Sequence, residues 1–317
     1  MQIVEYDDVN PFSVLELNIL SFRFALTPEL VALIRRLDPR PFPFLALYAV
    51  DEGNVVGQVG VFRLPMMMTH GPEDVGGIWA MATHPGYSRR GVGSLLIEEA
   101  HARMRTAGLR FSVLGTSRHW VAYPFYCRHG YQEIAGFASA LNHRDSLLPY
   151  DNKLQVKRAT RENLDETDAL FRQVGTGKIG FARRHDPFMS MMVDIGDAMR
   201  IDDLRVLWLD DDLVGYAIVR PSETVFKIDD ILLRDDTSIM AATATLLRET
   251  QAPYVQITMN NHSPHLEALR QAGFRVTSST WDVVMAKSLT DKMSTDDLRR
   301  FAGIGSNRYL MSWMDVT

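Results

Sequence analysis

Cysteine is almost missing from this chain. Cys127 is the single one among 317 residues, which excludes an internal disulfide and any cysteine-rich metal site and fits a reducing compartment. Lysine is absent from residues 1–150, where 13 arginines face 14 acidic residues, and the whole chain carries a net charge of −5 at pH 7. Neither half is a basic module, so no nucleic-acid partner is expected. No apolar run approaches the roughly 20 residues of a membrane span, so no membrane partner is expected either. The first ten residues, MQIVEYDDVN, carry acids where a secretory leader needs a basic region and then an apolar one. The expectation is a cytoplasmic protein.

What remains is ordinary for a globular chain, at 46% hydrophobic and 23% charged residues, and its length suits two domains better than one. One stretch stands out: residues 83–94, THPGYSRRGVGS. The apolar segment before it, residues 75–82, reads as a buried strand. After it Val92, Leu95, Leu96, Ala100, Met104 and Ala107 recur at helical spacing. A strand that stops at a glycine-rich turn and then opens a helix makes a backbone anion site. The first-turn N–H groups lack intrahelical partners, and the helix dipole favours negative charge there. Gly91 and Gly93 leave room for a phosphate, and Arg89 and Arg90 add positive charge. Other glycine-loop chemistries fail on residues. A nucleotide-binding P-loop needs Gly-Lys-Ser/Thr, and no lysine is here. A dinucleotide fingerprint needs a third glycine where Leu96 stands.

In order, residues 1–6 read as a strand, 11–22 and 27–37 as helices, and 45–50 with 55–63 as a hairpin. Next come a strand at 75–83, a helix ending at Gly108, a short strand at 111–115, a helix at 120–128 and a final strand pair through about Leu141. Residues 143–153 are polar and turn-rich and read as a linker. The pattern then restarts: strand 154–159, helices 162–174 and 188–195, strands 204–210, 213–220 and 225–233, helix 238–251, strand 254–259 and helix 264–272. Gly273 closes its helix in the second half as Gly130 does in the first, a correspondence that suits a repeated domain. In the repeat, the place of the glycine turn is taken by Arg234-Asp235-Asp236, whose carboxylates would repel a pyrophosphate. Leu269 stands before Gly273 where Tyr126 stands before Gly130. The tail contains Tyr309, Leu310, Met311, Trp313 and Met314, too apolar for a dangling end.

This element order, with Ser88-Arg89-Arg90-Gly91-Val92-Gly93 after the fourth strand and Tyr126-Cys127-Arg128-His129-Gly130-Tyr131 further on, resembles the GNAT superfamily of acetyltransferases. The loop departs from the family pattern at Ser88, where glutamine or arginine is usual. The resemblance implies an α/β (α+β) fold class with two tandem GNAT folds, each a mixed, mostly antiparallel twisted sheet flanked by helices. It implies a catalytic domain at 1–142, the linker at 143–153, a degenerate GNAT-like domain at 154–289 and a docking tail at 290–317.

The resemblance also implies acetyl-CoA as co-substrate, with no metal. Cofactor-binding residues would be Met81, Ala82 and Thr83 at the strand end and Ser88, Arg89, Arg90, Gly91, Val92, Gly93 and Ser94 in the loop. A backbone N–H among residues 81–83 would stabilise the developing oxyanion. Tyr126 would be the general acid toward the leaving thiolate. The acceptor would be a primary amine on a small molecule or a protein, attacked directly through a ternary complex, and a homo-oligomer is compatible with it. A different class of function, an acyl-CoA-binding sensor or scaffold, fits Ser88 and the inert second half. No base is visible: Glu73 and Asp74 precede the fourth strand, and His119 and His129 flank the last helix of the first half. An active first half before a degenerate second resembles the enhanced intracellular survival family of aminoglycoside acetyltransferases, in which the C-terminal carboxylate is the base. By that likeness the Thr317 carboxylate would serve. That family has a further sterol-carrier-like domain, for which the tail at 290–317 would leave no room.

Overall fold

The computed structural model describes residues 1–147, 153–196 and 199–315. The first half runs β1 (Gln2–Val4), α1 (Pro11–Phe22), α2 (Pro28–Leu37), β2 (Pro41–Asp51), β3 (Asn54–Met68), β4 (Gly71–Thr83), α3 (Val92–Thr106), β5 (Phe111–Ser117), α4 (Ala122–Arg128) and β6 (Gln132–His143). Local chemistry explains the helix starts. Asn10 accepts from the Phe12 N–H and Thr27 from the Leu30 N–H, each followed by proline in the first turn.

The second half runs β7 (Leu154–Arg158), α5 (Leu164–Gly175), α6 (Phe188–Ile195), β8 (Leu204–Leu209), β9 (Asp212–Arg220), β10 (Val225–Leu233), α7 (Ile239–Leu246), β11 (Tyr254–Asn260), α8 (His265–Gln271), β12 (Arg275–Thr277), β13 (Asp282–Ser288) and α9 (Thr295–Ala302). Part of the 143–153 segment read as a linker, namely 148–152, lies outside the described residues, as does Thr317.

The strands form one continuous mixed sheet in the order β1-β2-β3-β4-β5-β13-β6-β11-β10-β9-β8-β7, with β12 also on β6. Helices cover both faces. Its centre departs from the final strand pair expected before residue 141. There is one long strand, β6, and its two ends do different work. Residues 132–136 pair with β13, and residues 137–143 pair with β11. β13 comes from the far end of the chain and lies between β5 and β6, antiparallel to both. β12, just before it, returns to β6 at residues 139–141. The two halves therefore exchange strands. The physical reason is that residues 132–143 contain no turn, so the chain runs straight out of one half into the other.

The exchange is sealed by packing. Val283, Met285 and Leu289 sit in the same core as α3 residues Leu96, Ile97, Ala100 and Met104 and the aromatic Tyr126 and Tyr131. On the opposite face α9 lays Leu298 and Phe301 against Val75, Phe111 and Val113. The tail follows: Tyr309, Met311 and Met314 are buried.

Candidate functional site

β4 and β5 are parallel neighbours, yet they pair only at Gly76–Ser112 and Gly77–Val113. Beyond that point β4 stays on β3 as far as Thr83, which pairs Gly57, while β5 leans onto β13 as far as Ser117, which pairs Asp282. The sheet opens between them. The root of the opening is pinned by a buried chain of side chains. His101 Nε2 lies 2.8 Å from the Tyr131 hydroxyl, which lies 2.7 Å from Ser112 Oγ, and Ser112 donates to the Gly76 carbonyl at 3.0 Å. Burial pushes the His101 imidazole down to about 3, so it is neutral in this chain of bonds.

A cleft of about 430 Å³ lies at the mouth of the opening. Met81, Ala82 and Thr83 form one wall, and Ser88, Arg89, Gly91, Val92, Gly93 and Ser94 form the end. Tyr126 lines it from α4. The turn before α3 is built on left-handed backbone: Arg89 has φ 61° and Gly91, the N-cap, φ 82°. A side chain at Gly91 would meet nothing within 4 Å, so the dihedral, not space, calls for glycine there. At Gly93 a Cβ would stand 3.4 Å from the Phe125 ring, which closes the floor. Among the described residues no side chain caps α3, so its first-turn N–H groups remain available at the end of the cleft.

Among the described residues the charge of the lining has one sign: Arg89 and Arg128 contribute to it, and no carboxylate does. Arg90 turns aside: it is absent from the lining, and its guanidinium lies over the Tyr87 ring, 5.0 Å from the centroid. Arg128, Phe125, Tyr87, Val121 and Ala122 line the cleft without having been singled out in the sequence. Arg128 and Phe125 flank Tyr126 on one short helix, and that proximity was the available signal.

The Tyr126 side chain is buried, and its hydroxyl has no hydrogen-bond partner among the described residues. Burial pushes its phenol up to about 12, which keeps it protonated and able to donate. The residues weighed as a base stand elsewhere. Glu73 is held by Arg110 at 2.7 Å and Asp74 lies 3.6 Å from Arg63, both near the start of β4, away from the cleft. His119 bonds Ser117 at 2.8 Å, and His129 bonds Ser94 at 3.1 Å. Lys287, brought by the exchanged β13, donates to the His129 carbonyl at 2.7 Å. Thr317 lies outside the described residues; Asp315, two places before it, is buried 3.5 Å from Arg184.

The second half has an opening of the same kind that is put to another use. β10 and β11 pair in parallel at Val225–Tyr254 through Ile228–Ile257 and then diverge. The chain's own tail runs into the gap: Asn260 Nδ2 donates to the Met311 carbonyl at 3.2 Å, and Ser312 Oγ donates to Asp230. The turn leading into α7 has no glycine, and its acids are engaged, Asp236 by Arg234 at 2.8 Å and Asp235 by Lys178 at 3.0 Å.

A family model described as an acetyltransferase (GNAT) domain matches residues 13–134. Solved structures agree over nearly the whole chain. The fold is that of the GNAT acetyltransferases. A probable N-acyltransferase from Enterococcus faecalis V583 is 15% identical with a TM-score of 0.73, over 91% of this chain and 72% of its own. Eis1 from Mycobacterium abscessus is 15% identical with a TM-score of 0.61, over 92% of this chain and 74% of its own. A tandem GNAT protein from the clavulanic acid biosynthesis pathway is 15% identical with a TM-score of 0.57, over 92% and 99%. No curated protein matches this chain in sequence. Among the described residues no group of three or more His, Cys, Asp or Glu is placed to hold a metal ion, and no helix is long and apolar enough to cross a membrane.

Proposed function

We propose that the chain is an N-acetyltransferase that moves an acetyl group from acetyl-CoA to a primary amine, carried by a small molecule or a protein, by direct attack in a ternary complex. Residues 1–142 act as the catalytic GNAT fold. Residues 154–289 are a second GNAT fold without chemistry, apart from β13, which completes the sheet of the first fold between β5 and β6, and the described part of 290–317 docks on both. The observation that carries this reading is the convergence on one cleft of an opened β4–β5 edge, the uncapped start of α3 and an unpartnered tyrosine hydroxyl.

The residues present suit a coenzyme A thioester. The free N–H groups of α3, with Arg89 and Arg128, would hold the pyrophosphate, with no lining carboxylate to oppose it. The diverging strands would take the pantetheine arm and bring the acetyl group to residues 81–83, where proximity supplies much of the rate. The amine nitrogen attacks the thioester carbon, the C–N bond forms and the C–S bond breaks. A backbone N–H of residues 81–83 stabilises the oxygen as charge builds on it. Tyr126 passes its proton to the departing sulfur, and the surplus proton of the amine leaves to solvent.

One observation favours a second reading, an acyl-CoA-binding sensor or scaffold: among the described residues the lining holds neither a carboxylate nor a histidine to take the proton of the incoming ammonium. Amine-dependent release of CoA separates the two, and Tyr126→Phe tests the mechanism. An enzyme loses turnover, by about 10²-fold or more for a lost general acid, while acetyl-CoA affinity stays close to wild type. Unchanged turnover removes Tyr126 from the mechanism.

A further inference from the structure

Two buried amide side chains have no part in the cleft lining and yet touch its wall from behind. Asn18 lies on α1 and Gln58 on β3, and both are essentially inaccessible to solvent. They form a reciprocal pair: Asn18 Nδ2 donates to Gln58 Oε1 at 2.9 Å, and Gln58 Nε2 donates to Asn18 Oδ1 at 3.1 Å. Each has one donor left. Asn18 gives its second to the Val14 carbonyl at 2.9 Å, and Gln58 gives its second to the Ala80 carbonyl at 3.0 Å. Every amide hydrogen is used.

The neighbours are apolar: Val14, Leu17, Tyr48 and Val55 share this core. Packing alone is met there by a pair of aliphatic side chains without burying two polar amides. What the amides add is a direction for one peptide unit. Ala80 has φ 47°, left-handed and unusual for a residue other than glycine, and the β3–β4 register shifts beside it, between Gln58 and Gly60. Such a conformation persists where its surroundings fix it, and the Gln58 bond fixes its carbonyl.

The faces are known. A Cβ on Gly57 would run into Val92 and Leu96 of α3, so Gly57 faces α3 and Gln58, the next residue, faces α1. The Ala80 carbonyl therefore points to the α1 side. In a trans peptide the C=O and the following N–H point in opposite directions, so the Met81 N–H points to the α3 side. That is the side of the cleft, which Met81 itself lines.

We propose that Asn18 and Gln58 are positioning residues for acyl transfer: by holding the Ala80 carbonyl they aim the Met81 N–H at the thioester oxygen. This rests on the reading of the cleft as an acetyl-CoA site. It singles out one amide among residues 81–83 and assigns the device that orients it to a helix outside the cleft.

The test needs no acceptor. Full-length wild type, Gln58→Met and Gln58→Glu are titrated with acetyl-CoA labelled with carbon-13 at the thioester carbonyl, and the carbonyl stretch of the bound form is read by difference infrared spectroscopy. Wild type should lower the stretch relative to free acetyl-CoA. Gln58→Met should bind with unchanged affinity, lose that lowering and, with any acceptor that wild type uses, lose about 10²-fold in kcat at constant KM for acetyl-CoA, as for removal of one oxyanion donor. Gln58→Glu keeps the shape. Protonated in this buried place, it can still donate to the Ala80 carbonyl, so its bound carbonyl stretch should be lowered at low pH and relax as pH rises. A residue that merely packs would not show that dependence. If Gln58→Met does not fold, Gln58→Glu carries the test alone. A wild-type-like stretch in Gln58→Met, or a pH-independent one in Gln58→Glu, overturns the proposal. No lowering in wild type that binds acetyl-CoA overturns it too while leaving the reading of the cleft. Failure of wild type to bind acetyl-CoA overturns that reading itself.

Discussion

Replacing Met285 by alanine tests whether the exchanged strand makes the two halves one cooperative unit. Met285 belongs to β13, near the end of the chain, yet it pairs Leu114 of β5 on one side and Glu133 of β6 on the other. It is fully buried among α3 residues and beside Tyr126. Truncating a fully buried methionine to alanine costs about 2–5 kcal/mol, the transfer loss plus the cavity left behind. Native stability is of order 5–15 kcal/mol, so a large share of it is at stake. Because the cavity opens in the core beneath the cleft, the loss should fall on α3, in the opposite half of the chain. Urea unfolding followed by far-UV circular dichroism, and in parallel by hydrogen exchange of α3 amides, reads this directly. A single transition shifted to lower urea, with α3 protection falling by the same free energy, is expected. Two separate transitions, with α3 protection unchanged in the variant, would show instead that the halves unfold independently.

Two further outcomes follow from the charges. Arg128→Ala and Arg89→Ala should each weaken acetyl-CoA binding, with the loss shrinking as salt is raised through the range where exposed charges are screened; Arg90→Ala, whose guanidinium lies on Tyr87, should weaken it least, and calorimetry at two ionic strengths checks the order. Asp168 is buried and accepts from the Met189 N–H at 3.1 Å, and burial pushes its carboxyl up to about 6 from an ordinary 3.8. The folded protein thus holds this proton more tightly than the unfolded chain. The contribution to stability is complete below about pH 4 and declines as pH rises to about 6. The difference in urea midpoint between wild type and Asp168→Asn should therefore change between pH 4 and 6 and be flat above; a difference independent of pH across that window would contradict it.

Much of the cleft was legible in the sequence because its signals are local. Helical spacing from Val92 to Met104, a glycine turn before it and an apolar strand before that are all read within one short stretch of chain, and α3 and β4 lie where those signals put them. The long-range features left no such mark. β13 is a short apolar segment whose partners, β5 and β6, belong to the opposite half of the chain, and nothing in DVVMAKS names them. Arg90 and Arg128 could not be ranked from sequence, because which arginine faces a cleft depends on where a left-handed turn aims it. Asn18 was hidden for a different reason. A single asparagine in an apolar helix looks like a misplaced surface residue until its partner 40 positions away is seen.

Acetyl transfer is read by following free CoA thiol when wild-type protein is mixed with acetyl-CoA and a panel of primary amines, small molecules and peptides alike. An acetyltransferase releases CoA in a way that depends on the amine and forms an equal amount of N-acetylated product. Tight binding of acetyl-CoA with no amine-dependent release across the panel would rule out acetyl transfer and leave a cleft that holds the thioester without using it.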